Sequence, residues 1–161
     1  MKLAAGVLIL VMSMATTVYA ALHPGLIVPG SHIGEAAIGQ DGQILQDALG
    51  KPDFQKDNDD GTTLLEWGLL EQSGAIPDAT LWVLLDQGKV IKVGTDGGNI
   101  YKDGNGLGPG DTLDKFVGVY GVPSSNPAPF FFVFHQGIGV SVRSDGTVRS
   151  VWVEATEAPV A

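Results

Sequence analysis

The chain contains no cysteine. That excludes a disulfide framework, a thiolate metal site, a cysteine nucleophile and a lipidated N-terminal cysteine. Charge is scarce as well: 17% of the 161 residues are charged, and 9 lysines and arginines face 18 aspartates and glutamates, a formal net charge of −9. A negative field repels phosphate backbones, so nucleic acid is not expected as a partner. Histidine is limited to His23, His32 and His135. His32 and Glu35 stand as H-x-x-E, without the second histidine of a zinc-binding helix, so no metal site is expected from them. Gly30–Ser31–His32 is not a nucleophile elbow, because no glycine follows two residues after the serine. A triad pairing Ser31 or Ser141 with a distant histidine has no local motif behind it, and no cofactor motif is present.

Long apolar runs are confined to the start. Lys2 precedes an almost wholly apolar Leu3–Met14, and "TTVYA" follows with the small residues a signal peptidase reads. A signal peptide over 1–20, cleaved after Ala20, is the expectation. Nothing later approaches the ~20 apolar residues of a membrane-spanning helix, so no stable anchor is expected after cleavage. Losing Lys2 leaves 18 acids against 8 bases, a net −10. The expected setting is periplasmic or secreted.

What the chain has in quantity is glycine, 23 residues, and one pattern used twice. In "GQDGQILQDALGKP", Ile44, Leu45, Ala48 and Leu49 share a helical face before Gly50 and Pro52. In "GPGDTLDKFVGVYGVP", Leu113, Phe116, Val117 and Tyr120 do so before Gly121 and Pro123. Glycine at C′ with proline beyond it is a helix stop. Asp111 is the expected N-cap of the second helix, and Asp114 adds a favourable first-turn charge. Each helix is too short to stand without packing. Three β-prone segments follow each one: "TTLLEWGLL", "ATLWVLLD" and "KVIKVG", then "FFFVFHQ", "GIGVSVRS" and "TVRSVWVE". The last hairpins align, Gly88 with Gly146, Val90 with Val148 and Val93 with Val151. "SHIGEAAIG" and "KDGNGLGPG", ahead of the helices, rhyme more loosely. The expected organisation is a first unit over 21–94, a second over 95–154 and a flexible tail over 155–161. The insertion "EQSGAIPDA" marks divergence between the units. The expected fold class is α+β, two tandem helix-plus-three-strand units forming one curved antiparallel sheet with both helices on one face.

That arrangement, with the spacing of Ile38, Gly39, Leu49, Gly50 and Pro52 and its echo at Gly110, Tyr120, Gly121 and Pro123, resembles the tandem-repeat fold of the secreted β-lactamase inhibitor proteins. It is also similar to the small outer-membrane lipoprotein of the β-barrel assembly machinery, which has one such unit. The resemblance covers roughly Ile27 to Glu154. The chain departs from both, lacking the disulfides of the first and the lipidated cysteine of the second, where Ala21 stands. No inhibitor contact residue carries over by motif.

Period-two alternation sorts the strands into faces. Leu81, Val83, Leu85, Ile91, Val93, Phe132, Phe134, Ile138, Val140, Val142, Val151 and Val153 are expected to meet the helices, and Trp67 to be core. The opposite face then carries Glu66, Trp82, Lys92, Phe131, His135, Arg143 and Trp152, with Ser141, Ser150 and Glu154 also turned outward. Aromatics and arginine among small polar residues are what binding surfaces concentrate, so Trp82, Phe131, Arg143 and Trp152 are the candidate binding residues. The same rings also suit a homodimer contact. Two acidic turns offer oxygen donors to calcium: Asp96, Asn99, Asp103, Asn105 and Asp111 in one, and Asp57, Asn58, Asp59 and Asp60 in the other. Neither matches the twelve-residue calcium loop, and turn chemistry accounts for both.

The expected function is an exported, non-enzymatic binding module of the bacterial envelope, engaging a protein or envelope polymer through the open sheet face. The inhibitor resemblance implies an alternative, inhibition of a secreted enzyme, and a small serine/histidine-dependent hydrolase is the alternative from another class.

Overall fold

A computed structural model describes residues 25–68, 80–98 and 100–156. The expected signal peptide, His23, Asn99, the 71–79 insertion and residues 157–161 of the expected tail lie outside the described residues. Among the described residues the fold is predominantly β, with two helices and twelve strands in two sheets. This corrects the expected α+β class with three strands per helix and a single sheet.

The large sheet has eight strands. Helix α1 (Gly42–Leu49) is followed by β4 (Phe54–Asp57), β5 (Thr63–Trp67), β6 (Thr80–Asp86) and β7 (Lys89–Asp96). Helix α2 (Leu113–Tyr120) is followed by β9 (Ser125–Ala128), β10 (Phe131–Phe134), β11 (Ile138–Val142) and β12 (Val148–Glu154). The spatial order is β4-β5-β6-β7-β12-β11-β10-β9, antiparallel throughout, so the two sets meet where β7 pairs with β12. Each helix therefore precedes four strands. The additional strands, β4 and β9, are the two edges, and every one of their residues is exposed. A strand with no buried face shows no alternation, and Pro127 in β9 reads as a breaker; an edge strand tolerates both.

The second sheet joins β1 (Gly25–Val28), β2 (His32–Ile33), β3 (Ala36–Ala37) and β8 (Tyr101–Asp103) in the order β3-β2-β1-β8, with β1 and β8 parallel. Its β2 and β3 lie against β7, and β2 also reaches β12. One core results: Ile27, Ile33 and Tyr101 from this sheet, Leu45 and Phe116 from the helices, and Val83, Val93, Val140 and Val151 from the inner face of the large sheet. The helices thus share that face with four additional strands.

Both helices end at the expected glycines, but Gly50 (φ +80°, ψ −179°) and Gly121 (φ +82°, ψ −163°) take an extended positive-φ conformation instead of the left-handed helical one expected at C′, and it too is costly for any other residue. Their starts differ. Asp41 caps α1, accepting from the Gln43 and Ile44 amides at 2.9 and 3.4 Å. The N-cap of α2 is Thr112, not Asp111, and its side chain makes no cap hydrogen bond. Asp111 instead accepts from Lys102 Nζ, Lys115 Nζ and the Gly108 amide at 2.9, 2.9 and 3.1 Å. Burial alone would raise its carboxyl, but these three donors outweigh it and bring the pKa down to about 2. On α1 only Leu45 and Leu49 of the expected face are buried, while Ile44 is 61% exposed and Ala48 is also exposed.

The same backbone bonds fix both helix entrances. Gly39 N donates to Val90 O and Val90 N to Gln40 O; Gly110 N donates to Val148 O and Val148 N to Asp111 O. Gly42 N reaches Gly88 O as Leu113 N reaches Gly146 O. The hairpin β6–β7 thereby holds α1 in place, and β11–β12 holds α2. At the other end of α1, Trp67 is buried as expected, and its indole N–H donates to Gly50 O at 2.9 Å.

Candidate functional site

Cross-strand rows build the outer face of the large sheet. One runs unbroken across all eight strands: Phe54, Glu66, Trp82, Gly94, Trp152, Gly139, Val133 and Ser125. The neighbouring row carries Thr80, Asp96, Ser150, Ser141, Phe131 and Ala128. A third pairs Lys92 with Leu84 and with Glu154. Together they shape a groove of about 640 Å³ on the side away from the helices.

Two indoles and two glycines make its floor. Trp82 of β6 lies over Gly94 of β7, where a Cβ would stand 2.7 Å from the indole Cη2 and closer still to Cζ2 and Cε2. Trp152 of β12 lies over Gly139 of β11, where a Cβ would stand 2.6 Å from Nε1. Glycine is required at both positions because the ring occupies the space of a side chain. Trp152 is 6% exposed, with the Phe131 ring tilted against it at 6.1 Å and Lys92 Nζ 5.6 Å from its ring centroid. Lys92 also bridges to Glu154 at 2.7 Å. Phe131 stays 44% exposed and Trp82 is half-buried.

The polar groups of the groove are incompletely paired. Among the described residues Trp152 Nε1 finds no acceptor and Asp96 Oδ1 no donor, although both atoms are buried. Burial raises the Glu66 carboxyl, and the negative charge of Asp96 raises it further. Among the described residues neither acid has a salt-bridge partner, although Arg149 also lines the groove.

Of the four candidate binding residues, Trp82, Phe131 and Trp152 come together here. Arg143 does not. It lies just beyond β11, where its amide donates to Thr147 O at 2.8 Å and its guanidinium reaches Thr147 Oγ1 at 3.5 Å. β11 ends at Val142, so Arg143 already belongs to the turn into β12, and the register shift between Ser141 and Val142 places its extra residue, Arg149, in β12. A second shift between Leu84 and Leu85 buries Val90 and leaves Ile91, expected inside, 39% exposed. His135 is exposed in the β10–β11 turn and does not line this groove, whereas Asp96, Arg149 and Ser150 do. Ser150 follows from the alternation that turns it outward with Trp152, and Asp96 had a findable signal, since it sits two residues from Gly94 on the same strand.

The acidic turns are occupied from within. Asp103, 4% exposed, accepts from the Asn105 and Leu107 amides at 2.8 and 2.7 Å and from the Tyr120 hydroxyl. Asp60 accepts from the amide and hydroxyl of Thr62 at 3.0 and 2.6 Å, and Asp57 from Thr63 Oγ1 at 2.7 Å. Among the described residues no three acidic or histidine side chains gather as a metal site would need.

No family model and no curated protein matches the chain. Among solved structures, it is similar to a cysteine-rich secretory protein from Staphylococcus aureus, with a TM-score of 0.55 and 14% sequence identity. The match takes in 83% of this chain and 49% of that one, so the chain spans about half the length of that protein. At this identity the likeness is one of fold alone.

Proposed function

We propose that this chain is an exported, non-enzymatic binding module of the bacterial envelope, holding a protein or envelope polymer in the groove on the outer face of its large sheet. The observation that carries the proposal is the pair of indoles laid over Gly94 and Gly139. They form an apolar floor beside Asp96 and Glu66, neither of which has a salt-bridge partner among the described residues. Concave surfaces lined by aromatics with a few placed polar groups are where ligands settle. The fold around it serves as support, its opposite face closed by two helices and the smaller sheet.

The test is capture from the native envelope fraction with the tagged chain and with a Trp82→Ala, Phe131→Ala variant. Both rings are partly exposed, so their truncation leaves the core filled, and circular dichroism checks that the fold is kept. A component retained by the parent chain and lost by the variant supports the groove as the binding site. Identical capture by the two chains refutes it.

A further inference from the structure

The unpaired atoms of the groove constrain the chemistry of what fills it. Trp152 Nε1 is a buried donor over Gly139, in the space a side chain at 139 would take on the groove face, and it has no acceptor among the described residues. Asp96 Oδ1 is a buried acceptor, two residues from Gly94 and on the same face, and it has no donor among the described residues. Leaving either unmet in a ligand-filled groove is costly. A cationic ligand would satisfy Asp96 but offer nothing to the indole N–H, and it would meet Lys92 and Arg149. An anion would accept from the indole but face Asp96 and Glu66. A hydroxyl group both donates and accepts, so an extended ligand bearing hydroxyls along its length meets both needs, over β11 and on β7, without net charge. Its C–H faces would lie on the exposed part of Trp82, and Ser141 and Ser150 supply further hydroxyls alongside.

We infer that the groove takes a neutral oligosaccharide, a hydroxyl of one sugar accepting from the Trp152 indole over β11 and a hydroxyl of an adjoining sugar donating to Asp96 on β7, that second sugar stacked on Trp82. This rests on the proposed groove function and names its ligand class. Phe131 covers the Trp152 ring, and turning its partly exposed side chain outward opens the indole N–H to the sugar.

The test has two stages. The intact chain is first applied to an array of neutral, N-acetylated and uronate-containing oligosaccharides. The best binder is then titrated into ¹⁵N-labelled protein while its three indole N–H resonances are followed, assigned by single Trp→Phe replacements. Expected are binding of neutral or N-acetylated chains with uronates excluded, a shift of the Trp152 resonance, and a stationary Trp67 resonance, since that N–H already donates to Gly50 O. Asp96→Asn and Trp152→Phe each weaken binding about tenfold or more. Absence of binding across the array, preference for uronates, or a Trp152 resonance that stays in place overturns the inference. An oligoarginine peptide titrated in parallel separates the two levels. Shifts of Trp82 and Trp152 with the peptide alone leave the groove standing and replace the glycan with a basic protein segment. No shift with either probe removes both.

Discussion

Adding a single methyl group at Gly139 tests the architecture of the groove floor. Its carbon would stand 2.6 Å from Trp152 Nε1 and closer still to Cε2 and Cζ2, all well inside the 3.4 Å at which ordinary contact begins, so the indole must retreat by about 1 Å or more. Retreat is obstructed: Trp152 is 6% exposed, with Phe131 and Lys92 over it. Overpacking of this kind costs about 1–3 kcal/mol, while replacing a strand glycine returns about 0.5–1 kcal/mol. Gly139→Ala is therefore expected to destabilise the protein by about 1–2 kcal/mol, a fall in Tm of about 2–8 °C at this chain length. Gly94→Ala makes the equivalent clash with Trp82, but that ring is half-buried and can swing outward. It should cost under about 1 kcal/mol while filling the groove and abolishing ligand binding. Urea unfolding followed by tryptophan fluorescence and circular dichroism measures both. A Gly139→Ala protein as stable as its parent, or a Gly94→Ala protein more damaged than Gly139→Ala, would refute the reasoning.

Asp103→Asn places an amide where two backbone N–H groups and the Tyr120 hydroxyl need acceptors, and should cost about 2–3 kcal/mol in urea unfolding; Tyr120→Phe should cost less. The depressed Asp111 pKa, about 2 against an ordinary 3.8, means its contribution is complete above the ordinary value and is lost as pH falls through about 2. With Asp111 partly open to solvent, that loss is about 1–2 kcal/mol, and Lys102→Met should shrink it in stability curves taken from pH 5 to 2. Glu66 has the opposite sign: its raised pKa makes stability decline as pH climbs through the range above the ordinary glutamate value, so Glu66→Gln should flatten that decline. Trp67→Phe removes the bond to Gly50 O and should cost about 1–3 kcal/mol by the same denaturation assay.

Where local chemistry decides the structure, the sequence was legible. Gly50 and Gly121 end their helices because only a residue without a side chain adopts that backbone cheaply, and Gly88 and Gly146 turn their hairpins for the same reason. Trp82, Phe131 and Trp152 reach one groove because uninterrupted alternation carries them there. Three things were hidden. The edge strands β4 and β9 bury nothing, so they leave no periodic trace. The two-residue strands β2 and β3 exist only through their partners, and β8 only through its parallel pairing with the distant β1. The register shift at Leu84/Leu85 adds Ile91 to β7, which is why Ile91 surfaces, and the one at Ser141/Val142 adds Arg149 to β12, while Arg143 leaves the groove because β11 ends at Val142. One added residue in a ladder is invisible to a period-two count. The second sheet was missed altogether, and with it the predominantly β character of the fold.

The pairing of β7 with β12 also governs the order in which the protein can be completed. Residues 92–96 pair with residues 150–154, so β7 has no partner on that side until almost the whole described chain has left the ribosome. In the interim it is the bare margin of a four-stranded sheet, eight residues long, with Val90, Ile91, Val93 and Thr95 favouring extension and no proline to deter pairing. A nascent or truncated chain ending before β12 should therefore capture the β7 of another copy. Refolding at high concentration should likewise produce interlocked dimers in which each β12 closes its neighbour's sheet.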